Sequence, residues 1–365
     1  MRKSARLMGL LASVLLAGCG GGASPPASSP VPAGSPSAGA KPASSVAAAS
    51  TKPAASAVAA ASAKPAGSGA AAAPSGQLTR LNIPYTSPSG VYAPIWVGVD
   101  AGIFKKYGFD ASTSYMDTNT VAPALQNGEI DVSPTPSTLN IIISGGDAVL
   151  IANLVTAPVF SLYSDSSIAS VEALKGKVIG DTPPGSAPDG ALRALLDKHG
   201  LNPASDVKYI SSPDPATILA AMKAGQAVAG VLSAPSTLNA KNQGYKELAN
   251  TGKEGVAGLH QVLGVKRSTL AQKHDMYVKM LQAFREAVDY IKNNPEGTKA
   301  IVGKYTKTEP GPVLDEAYEA FKPYIQLGPV KTSDVATVLK YSSNPAAAGF
   351  DPAKAIDNSI IDGLK

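Results

Sequence analysis

The chain has one cysteine, Cys19, and three widely separated histidines among its 365 residues. His199, His260 and His274 show none of the His/Cys spacings of a metal site, so we expect no metal and no cofactor. A Gly-x-Ser-x-Gly nucleophile motif and a phosphate-binding Gly-x-x-x-x-Gly-Lys-Ser/Thr loop are missing as well. These gaps leave no catalytic centre to assemble, and the sequence does not predict an enzyme.

Long basic runs are also missing, although the formal net charge is +5. The positive charge comes from the beginning of the chain, where six basic residues and no acidic ones precede residue 78: Arg2, Lys3, Arg6, Lys41, Lys52 and Lys64. The rest of the chain is nearly neutral, and aromatic residues make up only 5% of the whole. We therefore expect no nucleic-acid partner.

Residues 1–18 have the three parts of a secretory signal: a positive start, an apolar run from Leu7 and small residues at the cleavage point. The apolar run is too short to span a membrane. The following residues, Leu16-Ala17-Gly18-Cys19, resemble the lipobox of bacterial lipoproteins, in which the cysteine becomes lipidated and is the first mature residue. This resemblance predicts a membrane anchor through Cys19 on the periplasmic or extracellular face of the cell envelope. An ordinary signal peptide with a chance cysteine is the alternative.

Residues 19–77 consist almost entirely of Ala, Ser, Pro and Gly. Such a composition cannot bury enough apolar surface to offset the entropy of ordering. We expect residues 19–77 to form a disordered tether, with the folded part beginning at residue 78.

From residue 78 onward, short β-rich runs alternate with helical patterns, which indicates an α/β fold with largely parallel sheets. The predicted strands are residues 81–85, 111–116, 131–133, 149–155, 178–180, 207–210, 229–232 and 261–265. After residue 268 the pattern is helical, with helices at 268–293, 295–305, 312–325, 333–339 and near Pro352. The strands are thus expected to end before the final hundred residues.

Helix starts combine a polar residue with a following proline, as at Thr135-Pro136, Ser186-Ala187-Pro188, Asp214-Pro215 and Ser233-Ala234-Pro235. Parallel strands would bring these starts to one sheet edge, where a crevice binds ligands. Simple capping is the alternative for any single junction, and we expect Asp214 to cap its helix. The segment Pro-Ser-Thr-Leu-Asn occurs at both 136–140 and 235–239, which suggests two similar units, each containing a helix, a glycine stop, a strand and a second helix.

Three segments resemble periplasmic substrate-binding proteins of the nitrate, sulfonate, taurine and thiamine-precursor type. They are YAPIWVGVDAGIFKKYGF at 92–109, LQNGEIDV at 125–132 and LKGKVIG at 174–180. The resemblance implies a periplasmic-binding-protein-like α/β fold, with two Rossmann-like lobes joined by a two-segment hinge. Lobe I would comprise residues 78–157 and 259–365, and lobe II residues 158–258. The chain would be a monomer that captures a small molecule between closing lobes and delivers it to an ABC permease.

The same resemblance places the ligand contacts in loops that follow the strands. The implied ligand-binding residues are Tyr85, Ser87, Ser89, Thr118, Asn119, Thr120, Thr135, Ser137, Thr182, Ser186 and Ser233. These loops contain no Arg or Lys, so hydroxyls and helix N-termini would hold an anion, or a neutral polar or heteroaromatic ligand would stack on Tyr85, Tyr92 or Trp96. For Trp96 we favour a place in the core.

Two other functions stay open at this point. One is a periplasmic enzyme on the same fold, and the other is a lipoprotein sensor or adhesin that responds to a ligand on behalf of a different partner.

Overall fold

The computed structural model describes residues 77–364. The predicted signal segment, Cys19 and nearly all of the predicted tether lie outside these residues.

Ten strands and thirteen α-helices are present in the described part of the chain. The strands are β1 (Thr79–Asn82), β2 (Phe109–Ser112), β3 (Val149–Val155), β4 (Ser161–Ser164), β5 (Val178–Asp181), β6 (Lys208–Ser211), β7 (Ala229–Leu232), β8 (Lys246–Asn250), β9 (Val262–Val265) and β10 (Ile325–Gly328). The helices are α1 (Ala93–Asp100), α2 (Ile103–Lys106), α3 (Thr118–Asn127), α4 (Thr138–Ile143), α5 (Ala187–Lys198), α6 (Pro215–Lys223), α7 (Ser236–Asn242), α8 (Arg267–Leu270), α9 (His274–Asn293), α10 (Pro295–Thr306), α11 (Pro312–Phe321), α12 (Thr332–Lys340) and α13 (Ser359–Gly363).

The strands of residues 77–364 form three sheets, with the orders β1-β2, β10-β3-β9 and β6-β5-β7-β4-β8. The pairs β1/β2, β5/β6 and β5/β7 are parallel. The pairs β10/β3, β3/β9, β4/β7 and β4/β8 are antiparallel. The α/β expectation is therefore confirmed, but the prediction of largely parallel sheets is wrong. Strand β4 runs against both of its neighbours, so its sheet is mixed.

The strand predictions at 149–155 and 229–232 match β3 and β7 residue for residue. The prediction at 131–133 is wrong, because this segment forms only an isolated bridge between Ser133 and Gly264. Strand β10 lies within the final hundred residues and contradicts the prediction that strands end before them. The helix predicted to continue to Ile325 ends at Phe321, where Pro323 follows closely and a proline cannot continue an α-helix.

The buried apolar residues separate along the sequence. Residues 160–256, which we call the inserted region, supply two clusters of their own around its five-stranded sheet. Residues 77–157 and 259–364, the framing region, supply two others, and Trp96 and Phe284 are fully buried in the larger one. Because each region buries its own apolar side chains, each has a core of its own.

Two backbone segments, residues 157–160 and 251–260, connect these regions and include the ends of each, and side chains join the segments to each other. The hydroxyl of Thr251, which is 1% exposed, donates toward the carbonyls of Pro158 and Phe160 at 2.9 and 3.0 Å. It also accepts the N–H of Phe160 at 3.0 Å. In addition, Nδ1 of His260 accepts the N–H of Val159 at 3.2 Å. The two crossing segments thus form one hydrogen-bonded unit.

The regions also meet at the surface. Asp197 of α5 accepts from Lys340 at 2.7 Å and from the Tyr341 hydroxyl at 2.8 Å. Lys241 of α7 lies 3.5 Å from Glu316 of α11. These side chains are partly exposed, and ion pairs of this kind contribute less than about 1 kcal/mol each.

The repeated sequence unit is only partly repeated in structure. Helices α3 and α6 both stop at a left-handed glycine, Gly128 with φ 79° and Gly225 with φ 70°. Strand β7 follows the second glycine, whereas the first is followed only by the bridge at Ser133. Helices α4 and α7 then begin at Thr138 and Ser236. Each begins beyond the proline that was predicted to stand in its first turn.

We predict that Thr251→Val lowers the free energy of unfolding by about 1–3 kcal/mol, because the isosteric change leaves buried backbone groups without their partner. Thr251→Ser retains the hydroxyl and is expected to cost less. Urea unfolding followed by circular dichroism would compare the two variants. Equal stability of Thr251→Val and the parent chain would contradict a structural role for this hydroxyl.

Candidate functional site

One cavity lies where the framing and inserted regions face each other, beside the crossing segments. The centre of a water molecule can reach about 40 Å³ of it, so in this form it is narrow. The framing region contributes Thr86, Ser87, Ser89, Val91, Tyr92, Thr118, Thr135 and His260. The inserted region contributes Phe160, Thr182, Pro183, Ser186, Ala187, Pro188, Pro213, Pro215, Val231, Leu232 and Ser233.

The ends of three neighbouring strands position the inserted-region side of the cavity. Strand β5 ends at Asp181 and leads through Thr182 to α5, β6 leads through Pro213 to α6, and β7 leads directly to Ser233. Strands β6, β5 and β7 are mutually parallel, so their carboxyl ends share one edge of the sheet. This edge is where ligands bind in open α/β sheets.

Hydroxyl groups dominate the polar lining and form short pairs. The Thr86 and Tyr92 oxygens are 2.5 Å apart, and the Thr182 and Ser186 oxygens are 2.6 Å apart. The Ser89 hydroxyl donates across the cavity mouth to the carbonyl of Ala234 at 3.4 Å. A hydroxyl both donates and accepts, and rotation lets each pair offer either function to a bound molecule.

Seven of the eleven residues expected to bind ligand line this cavity: Ser87, Ser89, Thr118, Thr135, Thr182, Ser186 and Ser233. The other four lie outside its lining. Tyr85 packs edge-on against Trp96 at 5.3 Å, and Asn119 and Thr120 are exposed on the first turn of α3. Ser137 is buried behind the wall, 3.3 Å from the Thr135 hydroxyl.

Trp96 lies in the core, as expected, with no exposed surface. Its ring stacks on Tyr305 with centroids 4.7 Å apart and lies 6.1 Å from Tyr92. Tyr92 is the aromatic ring of this group that lines the cavity. Asp214 caps α6 through the N–H of Ala216 at 3.0 Å, which confirms the capping role expected for it.

His260 is the site residue that sequence reasoning missed. It is 5% exposed, lines the cavity and packs against Phe160 with ring centroids 4.3 Å apart. Burial lowers the pKa of His260 to about 3, opposed by a hydrogen bond with the Ala157 backbone, so the imidazole is neutral near pH 7. The signal that could have found it is its place just before β9, where the chain re-enters the framing region.

A carboxylate pair lies behind the Thr182 loop. Burial, followed by the nearby charge of Asp189, raises the pKa of Asp181 well above its usual range. Asp181 accepts the N–H of Thr182 at 2.7 Å, and Asp189 pairs with Arg193 at 2.6 Å. These groups fix the Thr182 loop from behind and do not line the cavity.

A second, wider groove of about 580 Å³ opens between the inserted region and α11. Its charged groups already bind one another: Glu247, for example, accepts from Ser161 at 2.6 Å and from Lys253 at 3.1 Å. Of the loops that follow β5, β6 and β7, only the last lines this groove, through Ala234, whereas all three line the smaller cavity. We therefore place the site in the smaller cavity.

Within residues 77–364, His, Cys, Asp and Glu side chains form no cluster of three or more that could hold a metal ion. The same residues include no helix with the length and apolar character needed to cross a membrane.

Comparison with known proteins gives matches over most of the described residues. The family model described as the NMT1-like family matches residues 75–304. "Putative binding protein YtlA" of Bacillus subtilis is 25% identical over 67% of this chain and 76% of its own length.

Two solved structures share the fold. The periplasmic aliphatic sulphonate binding protein SsuA from Escherichia coli has a TM-score of 0.62 and 20% identity, covering 76% of this chain and 92% of its own. The periplasmic nitrate-binding protein NrtA from Synechocystis PCC 6803 also has a TM-score of 0.62, with 17% identity over 79% of this chain and 88% of its own.

We predict that the ring of His260 does not titrate between pH 5 and 8, in contrast to an exposed histidine. In the unfolded chain this histidine binds a proton below about pH 6.5, whereas in the folded chain it does so only near pH 3. His260 therefore makes the free energy of unfolding fall as the pH drops from about 6.5 to about 3. Proton NMR of the histidine ring signals, assigned with His260→Gln, measures the titration. A midpoint near 6.5 for His260 would contradict the burial described above.

Proposed function

Because this chain belongs to the NMT1-like family, we propose that it is the solute-binding component of an ABC importer, which captures a small polar molecule outside the cytoplasm and delivers it to a permease. The observation that carries the proposal is a cavity lined by hydroxyls and apolar side chains from two regions with separate cores, which are joined by only two crossing segments.

Such an arrangement suits capture by closure. A solute that contacts Thr118 on one side and Ser186 on the other stabilises the form in which the two regions are close. The crossing segments, tied together at Thr251 and His260, are the hinge about which the regions would rotate. We assign lobe I to residues 78–157 and 259–365 and lobe II to residues 158–258, in line with the separate cores.

The fold neighbours support capture of a small solute. One is named for aliphatic sulphonates and another for nitrate, and both are described as periplasmic. A hydroxyl-lined cavity of the present size fits a molecule with few non-hydrogen atoms. These neighbours also support an extracytoplasmic location.

We further infer that Cys19 anchors the protein to the membrane by its lipid and that residues 19–77 act as a tether. The Leu16-Ala17-Gly18-Cys19 segment behind a charged and apolar start supports this inference. Several acyl chains together give stable attachment, whereas one chain alone is marginal. A tethered monomer would remain near its permease while its cavity stays free to bind solute.

The first prediction of this proposal concerns solute retained by the purified protein. Thr118→Val removes a hydroxyl from the cavity wall, and we expect it to lower the amount of small molecule that remains bound by at least ten-fold. Thr120→Val is the matched control on the same helix, because Thr120 is exposed outside the cavity. Native mass spectrometry of both variants, purified from a cell envelope, measures the retained molecule.

Equal retention in Thr118→Val and the parent chain would contradict this assignment of the site. If neither the parent chain nor any variant retains a small molecule, even after incubation with envelope extract, solute capture itself would be contradicted.

The second prediction concerns the anchor. Cys19→Ala is expected to move the protein from the membrane fraction to the released fraction, because this variant lacks the thiol to which the lipid would be attached. Fractionation and immunoblotting of cells that express each form measure the distribution, and Ser24→Ala is a control just beyond the lipobox. A membrane-bound Cys19→Ala protein would argue against lipidation at this residue.

A further inference from the structure

This inference rests on the proposed function, which leaves open whether the solute is an anion, a cation or an uncharged molecule. The charges around the cavity distinguish among these three classes. Proteins hold anions with Arg or Lys side chains or with free N–H groups at helix N-termini. Of the residues in 77–364 that line the cavity, none is Arg or Lys. An anion would therefore depend on neutral hydroxyls and on the helix N-termini at the rim.

Three of those N-termini, at α3, α5 and α6, already carry carboxylates. Helices α4 and α7, which begin just after Thr135 and Ser233, carry none but have only six and seven residues. Asp117 accepts the N–H of Asn119 at the start of α3 at 2.9 Å, and Asp214 accepts the N–H of Ala216 at the start of α6 at 3.0 Å. Asp189 lies in the first turn of α5 and is buried there. Each carboxylate compensates the positive end of its helix dipole. At α3, α5 and α6 an incoming anion would thus meet helix ends that are already neutralised.

Prolines remove further donors at the same rim. Pro215 is the first residue of α6 and Pro188 the second residue of α5, and both line the cavity. A proline has no N–H, so these positions offer apolar rings where an anion site needs amide donors. Pro183 and Pro213, in the loops that lead to the two helices, line the cavity as well.

A cation is no better compensated. Within the described residues, the lining includes no Asp or Glu, and Asp189 is paired with Arg193. The carboxylates of Asp117 and Asp214 point back to the N–H groups of their own helices. Neither sign of charge finds an opposite charge in the wall of the cavity.

His260 contributes a neutral polar group instead. Its Nδ1 accepts the N–H of Val159, which places the ring proton on Nε2, and the ring lines the cavity. Burial keeps the pKa of His260 near 3, and no charged side chain of the described part adds to this shift. The other titratable group of the lining is Tyr92, whose pKa is raised by burial.

We propose that the cavity selects an uncharged solute with hydrogen-bond acceptors, and that His260 contacts this solute as a neutral imidazole from the hinge. The hydroxyls of Thr86, Thr182 and Ser233 supply further donors and acceptors. Val231 and Leu232 supply apolar contact for the faces of the molecule. An uncharged solute exchanges its hydrogen bonds with water for hydrogen bonds with the uncharged side chains of the cavity. Burial of an ion among the same side chains would cost several kcal/mol or more.

Two triads of probes with matched shapes test the charge of the solute: acetamide, acetate and acetamidinium, and benzamide, benzoate and benzamidinium. Binding of each to the purified full chain is measured by NMR shift perturbation and by thermal shift, with nitrate and methanesulfonate as additional anions. We expect the uncharged member to bind at least ten-fold more tightly than either ion, with an affinity that is constant between pH 5.5 and 8.

Two variants of His260 test its contact with the solute. Asn places a polar atom near the position of Nδ1, and Gln places one near the position of Nε2. His260→Asn should keep the contact with Val159 but weaken binding of the best uncharged probe at least ten-fold. His260→Gln should retain more of the binding and lose more of the stability.

The possible failures can be told apart. Tighter binding of an anion or a cation than of its uncharged partner would overturn this inference and leave solute capture intact. Unchanged affinity in His260→Asn would overturn the role of the imidazole. Failure of every probe to bind in the cavity at 50 mM would count against solute capture itself and would remove this inference with it.

Discussion

The hydrogen bonds that join the two crossing segments are the interactions on which the site depends. Thr251 and His260 both belong to the returning segment, and both bind the backbone of residues 158–160 in the outgoing one. Because these bonds are buried, losing either partner leaves a polar group in an apolar setting, which is costly. In the proposed closure, these bonds would form the fixed line about which the two regions rotate.

The same residues connect the hinge to the cavity. His260 lies in a crossing segment and in the cavity wall, so the group that holds the hinge also faces the place where a solute would bind. A change in the position of its ring alters both at once. In the proposed closure, this double position would connect occupancy of the cavity to the angle between the regions.

Much of the fold could be predicted from sequence, because its signals are local. Strands β3 and β7 are short and almost wholly apolar runs, and the long helix α9 has a clear amphipathic period. Strand β4 escaped because its four residues, Ser-Leu-Tyr-Ser, carry no such pattern and are ordered only by pairing with β7 and β8. The direction of the strands was not predicted either, because whether two strands run parallel depends on chain connections longer than any short stretch of sequence.

The site was partly predictable for the same reason. Loops that follow strands could be named from the alternation of elements, and seven of the hydroxyl residues chosen in this way meet in one cavity. Asn119 and Thr120 could not be separated from Thr118 by sequence, because only the rotation of the helix turns one side chain inward. His260 was missed because its place before β9 does not reveal its contact with the backbone of Val159, about a hundred residues earlier.

The place of Trp96 has an optical consequence. It is the only tryptophan in the chain, it is fully buried, and its ring lies 6.1 Å from Tyr92 at the cavity wall. Its fluorescence therefore comes from one defined environment directly beneath the site, free of signals from other indoles. Emission from this ring makes the unmodified chain its own spectroscopic reporter of events at the cavity floor.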